Sequence, residues 1–448
     1  MHLGAPAREA LWDYSQGPLA LVPALELLIT LRALGAAGEW GSRQVLAVGL
    51  GMTLSVIISA GFVQAMSRRT SICLAFDDIA SATRFLRGVL AMAGVCVTLV
   101  GLVVVAVASR LGAFTAQEVI TFGLAFVGMS AIWLLAAGLS LLRASAWLGV
   151  GLAAGLALGA LVDRALAPFT SAHLAPAALV GFVVTVAVLA WQTRRGMRRR
   201  CGHVRRREAL PPAPYLMSEA APYFAYGTLY ALLLFTPHVV GWLAALASSE
   251  PRVWAVASLE AGFTLALPPV ILAGGVAEHT LQLFWQRALL AQTSTSGADP
   301  EHFRRVLRRY YLQQLVRYLV VLSSLTVLAG LAFRSALDSG LLAAWVGIDR
   351  LDVLERVFMG GLLAYWLLGW GVFNCMFSLS LARPRLALLA VLPGLICTLF
   401  VAVPVSIVAG FAYMGIAAIV GSAVYVVSSC RTTTSLFRGL DYYYATAF

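Results

Sequence analysis

Apolar stretches of about twenty residues, almost free of charge, recur along the whole chain, and the short segments between them collect arginine. Such a stretch fixes its own local structure. Inside hydrocarbon every backbone N–H and C=O must be satisfied within the segment, and a helix does this. Of the 448 residues, 60% are hydrophobic and 12% charged, against roughly 25% charged in an average soluble chain. The chain therefore reads as all-α and integral to a membrane, crossing it many times.

Twelve transmembrane helices are predicted, at 17–36, 44–66, 88–109, 118–142, 145–163, 174–192, 222–247, 254–277, 313–333, 357–382, 386–408 and 410–429. The first is read as a retained helix: Glu9 and Asp13 precede it and Glu26 interrupts it, unlike a secretory leader. Basic residues are held on the cytoplasmic side, and all 32 here are Arg. With the N-terminus inside, 23 arginines fall on cytoplasmic segments and 8 on outer ones, with Arg317 near the inner start of the ninth span. Both termini are thus expected to be cytoplasmic.

The densest arginine run is TRRGMRRRCGHVRRRE, from Thr193, which brings together Arg194, Arg195, Arg198, Arg199, Arg200, Arg205, Arg206 and Arg207. Topology and attraction to anionic lipid headgroups account for its charge. It has no aromatic platform, so nucleic-acid binding is not expected. Cys201 and His203 are two ligands, which make no metal site. The six cysteines are scattered and form neither a disulfide framework nor a CxxC motif.

Six spans precede this run and six follow it, which suggests two pseudo-symmetric six-helix bundles of like orientation. The expected division is 1–192 for the first bundle, 193–221 for a basic cytoplasmic linker and 222–448 for the second bundle with a short tail. Two echoes support duplication. IWLLAAGLSLL from Ile132 resembles YWLLGWGVFNC from Tyr365, and SATRFLRGVL from Ser81 resembles the amphipathic EHFRRVLRRYY from Glu301.

An ionisable residue within a span is costly and faces a cavity or a partner. Glu26 follows Pro23 in PALELLIT, and Arg32 is too far along the helix to pair with it directly. Glu260 in VASLEAGF precedes the Pro268-Pro269 break. Each carboxylate is read as a cavity-lining or proton-carrying group or as a hydrogen bond between helices. His238, after Pro237, is expected to be neutral and satisfied inside its bundle, and Asn374 to bond across helices. Gly151, Gly155 and Gly159 form a small-residue stripe for close packing. Tyr226 and Tyr230 near the start of the seventh span, with Trp133 and Trp366 inside spans, are either packing and interfacial residues or faces on which sugar rings stack. No hydrolase triad, nucleotide loop or zinc motif is present, so neither enzymatic activity nor a cofactor is expected.

Several segments resemble the PelG family of Pel exopolysaccharide transporters: GSRQVLAVGLGMTLSVIISAGFVQAMSRR from Gly41, IWLLAAGLSLLRAS from Ile132, APYFAYGTLYALLLF from Ala221, VILAGGVAEHT from Val270 and RGLDYYYATAF from Arg438. The sequence departs from that family at Gly17-Pro18-Leu19, where a Gly-Pro-Trp step is usual, and at Pro237-His238, where a charged pair is common. The resemblance implies the multidrug/oligosaccharidyl-lipid/polysaccharide flippase superfamily and a MATE-like fold of two six-helix bundles. It implies transport of an N-acetylhexosamine-rich polymer across the bacterial inner membrane for a biofilm matrix. The implied partners are a cytoplasmic glycosyltransferase and other Pel membrane subunits, one a cyclic di-GMP sensor. Cation-coupled export of small molecules, flipping of a lipid-linked oligosaccharide, and a non-transporting scaffold docked through the arginine run are the competing readings.

Overall fold

The computed structural model describes residues 37–75, 78–110, 115–142, 146–166, 174–200, 212–247, 253–294, 300–342 and 351–440. These are helical almost throughout, and no strand occurs among them. The helices are α1 (Ala37–Ala75), α2 (Ile79–Arg110), α3 (Ala116–Leu141), α4 (Ala146–Leu166), α5 (Leu174–Arg200), α6 (Ala213–Ala247), α7 (Val253–Ala266), α8 (Pro268–Ser294), α9 (Pro300–Asp338), α10 (Leu351–Ser380), α11 (Pro384–Val408) and α12 (Met414–Arg438). Among the described residues, ten segments are long and apolar enough to cross a membrane. Each covers one predicted span. The span predicted at 174–192 is the apolar part of α5 and is not among the ten. The span at 17–36, with Glu26, lies outside the described residues.

Helix starts follow local chemistry. Asp78 caps α2, its carboxylate accepting the Ser81 N–H at 3.0 Å. Those bonds hold its carboxyl below the ordinary Asp range. Thr115 and Glu118 form a reciprocal capping box at α3, Glu118 Oε2 accepting the Thr115 N–H at 2.6 Å and Thr115 Oγ1 accepting the Glu118 N–H at 3.4 Å. The break between α7 and α8 falls at Leu267, just before Pro268 and Pro269, whose rings cannot continue a helix's hydrogen bonds. The arginine-bearing segment from Glu301 is the opening of α9, continuous with the span it feeds.

The chain divides into two compact units after Ala231, inside α6. In the first unit α1 packs on α3, α2 against both, and α5 against α3 and α4. The second repeats this order: α7 and α8 on α10, α9 against α8 and α10, and α12 against α10 and α11. At its centre is α10, 72% of whose most apolar window is buried, whereas α9 buries only 11% and turns most of its surface outward.

Between apolar helices in lipid the driving force is close contact, which small residues permit. In the first unit, Gly155 lies against the Gly181 carbonyl and the Thr185 hydroxyl, where α4 meets α5. In the second, Gly360 of α10 and Gly415 of α12 meet face to face: a Cβ added to Gly415 would lie 2.8 Å from the Gly360 Cα. A Cβ on Gly123 would meet nothing within 4 Å. Replacing Gly415 by Leu should therefore lower stability by about 1 to 3 kcal/mol, while Gly123→Ala should not, in thermal melts of detergent-solubilised protein. Asp78→Ala should cost about 1 kcal/mol at neutral pH. Because its folded pKa is depressed, that contribution is complete above the ordinary carboxylate range and is lost as pH falls through the lowered value. The melting difference should close in strong acid.

Candidate functional site

Two groups of buried polar side chains in the second unit are built on α10. The first begins at His238, about two turns beyond the middle of α6 and 1% exposed. Its Nδ1 lies 2.9 Å from Glu260 Oε1 of α7, and its Nε2 lies 3.2 Å from the Tyr365 hydroxyl of α10. Phe263, one turn beyond Glu260, stacks on the imidazole with centroids 4.4 Å apart, and Phe235 packs beside it at 5.2 Å. The helices place these groups by spacing: Phe235 and His238 share one face of α6, as Glu260 and Phe263 share one face of α7.

An ionised carboxylate only accepts hydrogen bonds, so with Glu260 charged the proton of a neutral imidazole sits on Nδ1. Nε2 is then the acceptor, and the Tyr365 hydroxyl donates to it. Three ionisable or hydroxyl-bearing side chains from three helices thus form one chain of hydrogen bonds in an otherwise aromatic pocket. This arrangement can hold a proton or pass one along.

The second group centres on Asn374, which is fully buried. Its Oδ1 accepts from the Tyr311 hydroxyl of α9 at 2.9 Å. Its Nδ2 donates to Ser429 Oγ at 3.0 Å and contacts Cys430 Sγ at 3.3 Å, both on α12. The amide joins three helices.

The remaining sequence-derived candidates do not join either group. Trp366 Nε1 donates to Ser323 Oγ at 3.0 Å, tying α10 to α9. In the first unit, Tyr226 is buried and stacks on Tyr230 with centroids 6.3 Å apart, while Trp133 is half-buried in α3. Arg194 and Arg195 are exposed near the end of α5, with the Arg195 guanidinium 5.4 Å above the Trp191 ring. Arg198, Arg199 and Arg200 complete that helix, and Arg205, Arg206 and Arg207 lie outside the described residues. Sequence reading had not singled out Tyr365, Tyr311 or Phe263. Their signal was faint, a hydroxyl or ring at helical spacing from a costly polar residue. Among the described residues, no group of three or more His, Cys, Asp or Glu could hold a metal ion.

This architecture is that of MATE-type transporters of the MOP superfamily. The chain matches the Vibrio cholerae MATE transporter VcmN in its bent form with a TM-score of 0.65, covering 98% of each chain at 14% identity. It matches a MOP superfamily transporter from Pyrococcus furiosus with a TM-score of 0.62, covering 96% of each at 13% identity. At such identities the likeness is one of fold. No curated protein matches the sequence. The family model of PelG, described as "Putative exopolysaccharide Exporter (EPS-E)", matches residues 17–257, more than half of the chain. The protein belongs to the PelG family and is a multi-pass membrane protein with a transporter fold.

The geometry of the first group makes a stability prediction. Tyr365→Phe, which keeps the ring and removes one hydrogen bond, should cost about 1 kcal/mol. Glu260→Gln and His238→Gln should be non-additive by about 0.5 to 3 kcal/mol in a double-mutant cycle, read from denaturation in detergent. Simple additivity would mean that the two side chains do not interact.

Proposed function

We propose that this protein moves an N-acetylhexosamine-rich exopolysaccharide of the Pel type across the bacterial inner membrane for a biofilm matrix, while a cytoplasmic glycosyltransferase extends it. The observation that carries this reading is the family match over residues 17–257. The remainder of the proposal follows from topology and charge. Twelve spans with both termini cytoplasmic agree with the arginine bias of 23 to 8. The run from Arg194 to Arg207 is the docking surface for the glycosyltransferase and for anionic lipid. Other Pel membrane subunits, including a cyclic di-GMP sensor, complete the assembly.

Polymer movement needs either an energy source or a push from synthesis. The hydrogen-bonded Glu260–His238–Tyr365 chain favours a second reading, in which transport is coupled to a proton and a small molecule is the cargo, as the fold also permits. Tyr226, Tyr230, Trp133 and Trp366 supply ring faces for sugars in the first reading and packing surface in the second.

The two readings separate in cells. Secreted and intracellular polymer should be measured in strains carrying Glu26→Gln, Glu260→Gln or an arginine-depleted 194–207 segment, each confirmed in the membrane at normal level. Polymer export predicts loss of secretion by at least about tenfold in the carboxylate variants, a barrier change of about 1.4 kcal/mol, with glycosyltransferase binding retained. A proton-driven exporter of small molecules predicts normal polymer secretion and loss of pH-driven efflux. If only the arginine-depleted variant fails, the protein is a scaffold.

A further inference from the structure

The start of α9 and the end of α12 enclose a cavity of about 410 Å³ whose chemistry the transport reading does not use. Phe303, Leu307, Tyr310 and Tyr311 turn one face of α9 into the core. Arg304, Arg305 and Arg308 line the cavity from the other face, and Arg438 faces them from the last turn of α12. Among the described residues, four guanidinium groups therefore meet a single lining carboxylate, that of Glu301. Arg304 Nη1 donates to the Arg438 carbonyl at 3.1 Å, which joins the two walls. The inner wall is aromatic, with the Tyr311 and Phe437 rings 4.8 Å apart.

Position and shape narrow the ligand. At about 1.5 Å per residue, the 39 residues of α9 extend for roughly 58 Å, nearly twice a hydrocarbon core of about 30 Å. The first turns of α9 therefore stand at the depth of lipid headgroups. Below the arginines the same helical face becomes an exposed apolar strip. Arg304 and Arg308 are followed, four residues apart each time, by Leu312, Val316 and Val320, which are 48%, 62% and 59% exposed. Guanidinium forks match phosphate oxygens in two-bond geometry. A cavity of this volume is large enough for a small molecule rather than a lone ion.

We propose that this cavity binds the phosphate headgroup of an anionic phospholipid, with an acyl chain along the Leu312–Val316–Val320 strip. The site is independent of the transported substrate. Its effect would be to tighten the hold of α9 on α12 in a membrane that supplies such a lipid.

The test uses the full-length protein purified in non-ionic detergent and titrated with phosphatidylglycerol, phosphatidylcholine or glycerol phosphate, with bound molecules counted by native mass spectrometry. Arg308→Gln combined with Arg438→Gln removes two lining charges. Arg309→Gln combined with Arg431→Gln removes two exposed charges on the same helices that do not line the cavity, and so controls for net charge and folding. The proposal expects phosphatidylglycerol to bind more tightly than phosphatidylcholine by about tenfold or more, a preference lost in the lining pair and kept in the control pair. It is overturned if both pairs weaken binding equally, if the lining pair has no effect, or if glycerol phosphate without acyl chains binds as tightly as the lipid.

Discussion

Asn374 brings a fully buried primary amide to the last two turns of α10, out of reach of bulk solvent. Leaving such a group unpaired in an apolar interior costs several kcal/mol, so α9 and α12 must approach α10 closely enough to supply the Tyr311 and Ser429 hydroxyls. That approach needs small residues on both sides of the seam, and Gly360 and Gly415 provide them further along it. With α10 enclosed by its neighbours, Tyr365 meets His238 instead of lipid. The amide fixes α10, and α10 fixes the site.

Much of this was legible in the sequence because lipid imposes a simple rule on composition. Apolar length marked the described spans to within a few residues at most boundaries, and Pro268-Pro269 marked the break between α7 and α8. The cost of a buried ionisable group picked out Glu260, His238 and Asn374 one at a time. Their partners were not legible, since which faces of α6, α7 and α10 meet depends on packing between segments more than a hundred residues apart, as for His238 and Tyr365. The unit boundary inside α6 was equally hidden. Charge marks a loop at the arginine run, but contacts decide where one unit ends, and α6 passes through that point without a change in composition.

The two ends of α9 treat arginine differently. At its C-terminal end Arg334 is held by Glu355 at 2.6 Å and by Asp338 at 3.7 Å. At its N-terminal end arginines gather round a cavity with one carboxylate among the described residues. The middle of the helix packs along one face only, where Tyr318 stacks on Phe373 and Ser323 accepts from Trp366, and turns the rest of its surface outward.

The Glu260–His238–Tyr365 chain also has a direction. In the neutral state described above, the hydroxyl of Tyr365 points its proton at the imidazole, and the imidazole points its own at the carboxylate. A proton entering at Tyr365 and leaving through Glu260 would reverse both bonds, so the wire could not conduct again until the hydroxyl had rotated and the ring had exchanged its tautomer. Such a wire carries one charge per reset. Its turnover would then be paced by the slow reorientation of groups held between Phe235 and Phe263 rather than by the speed of a proton's hop.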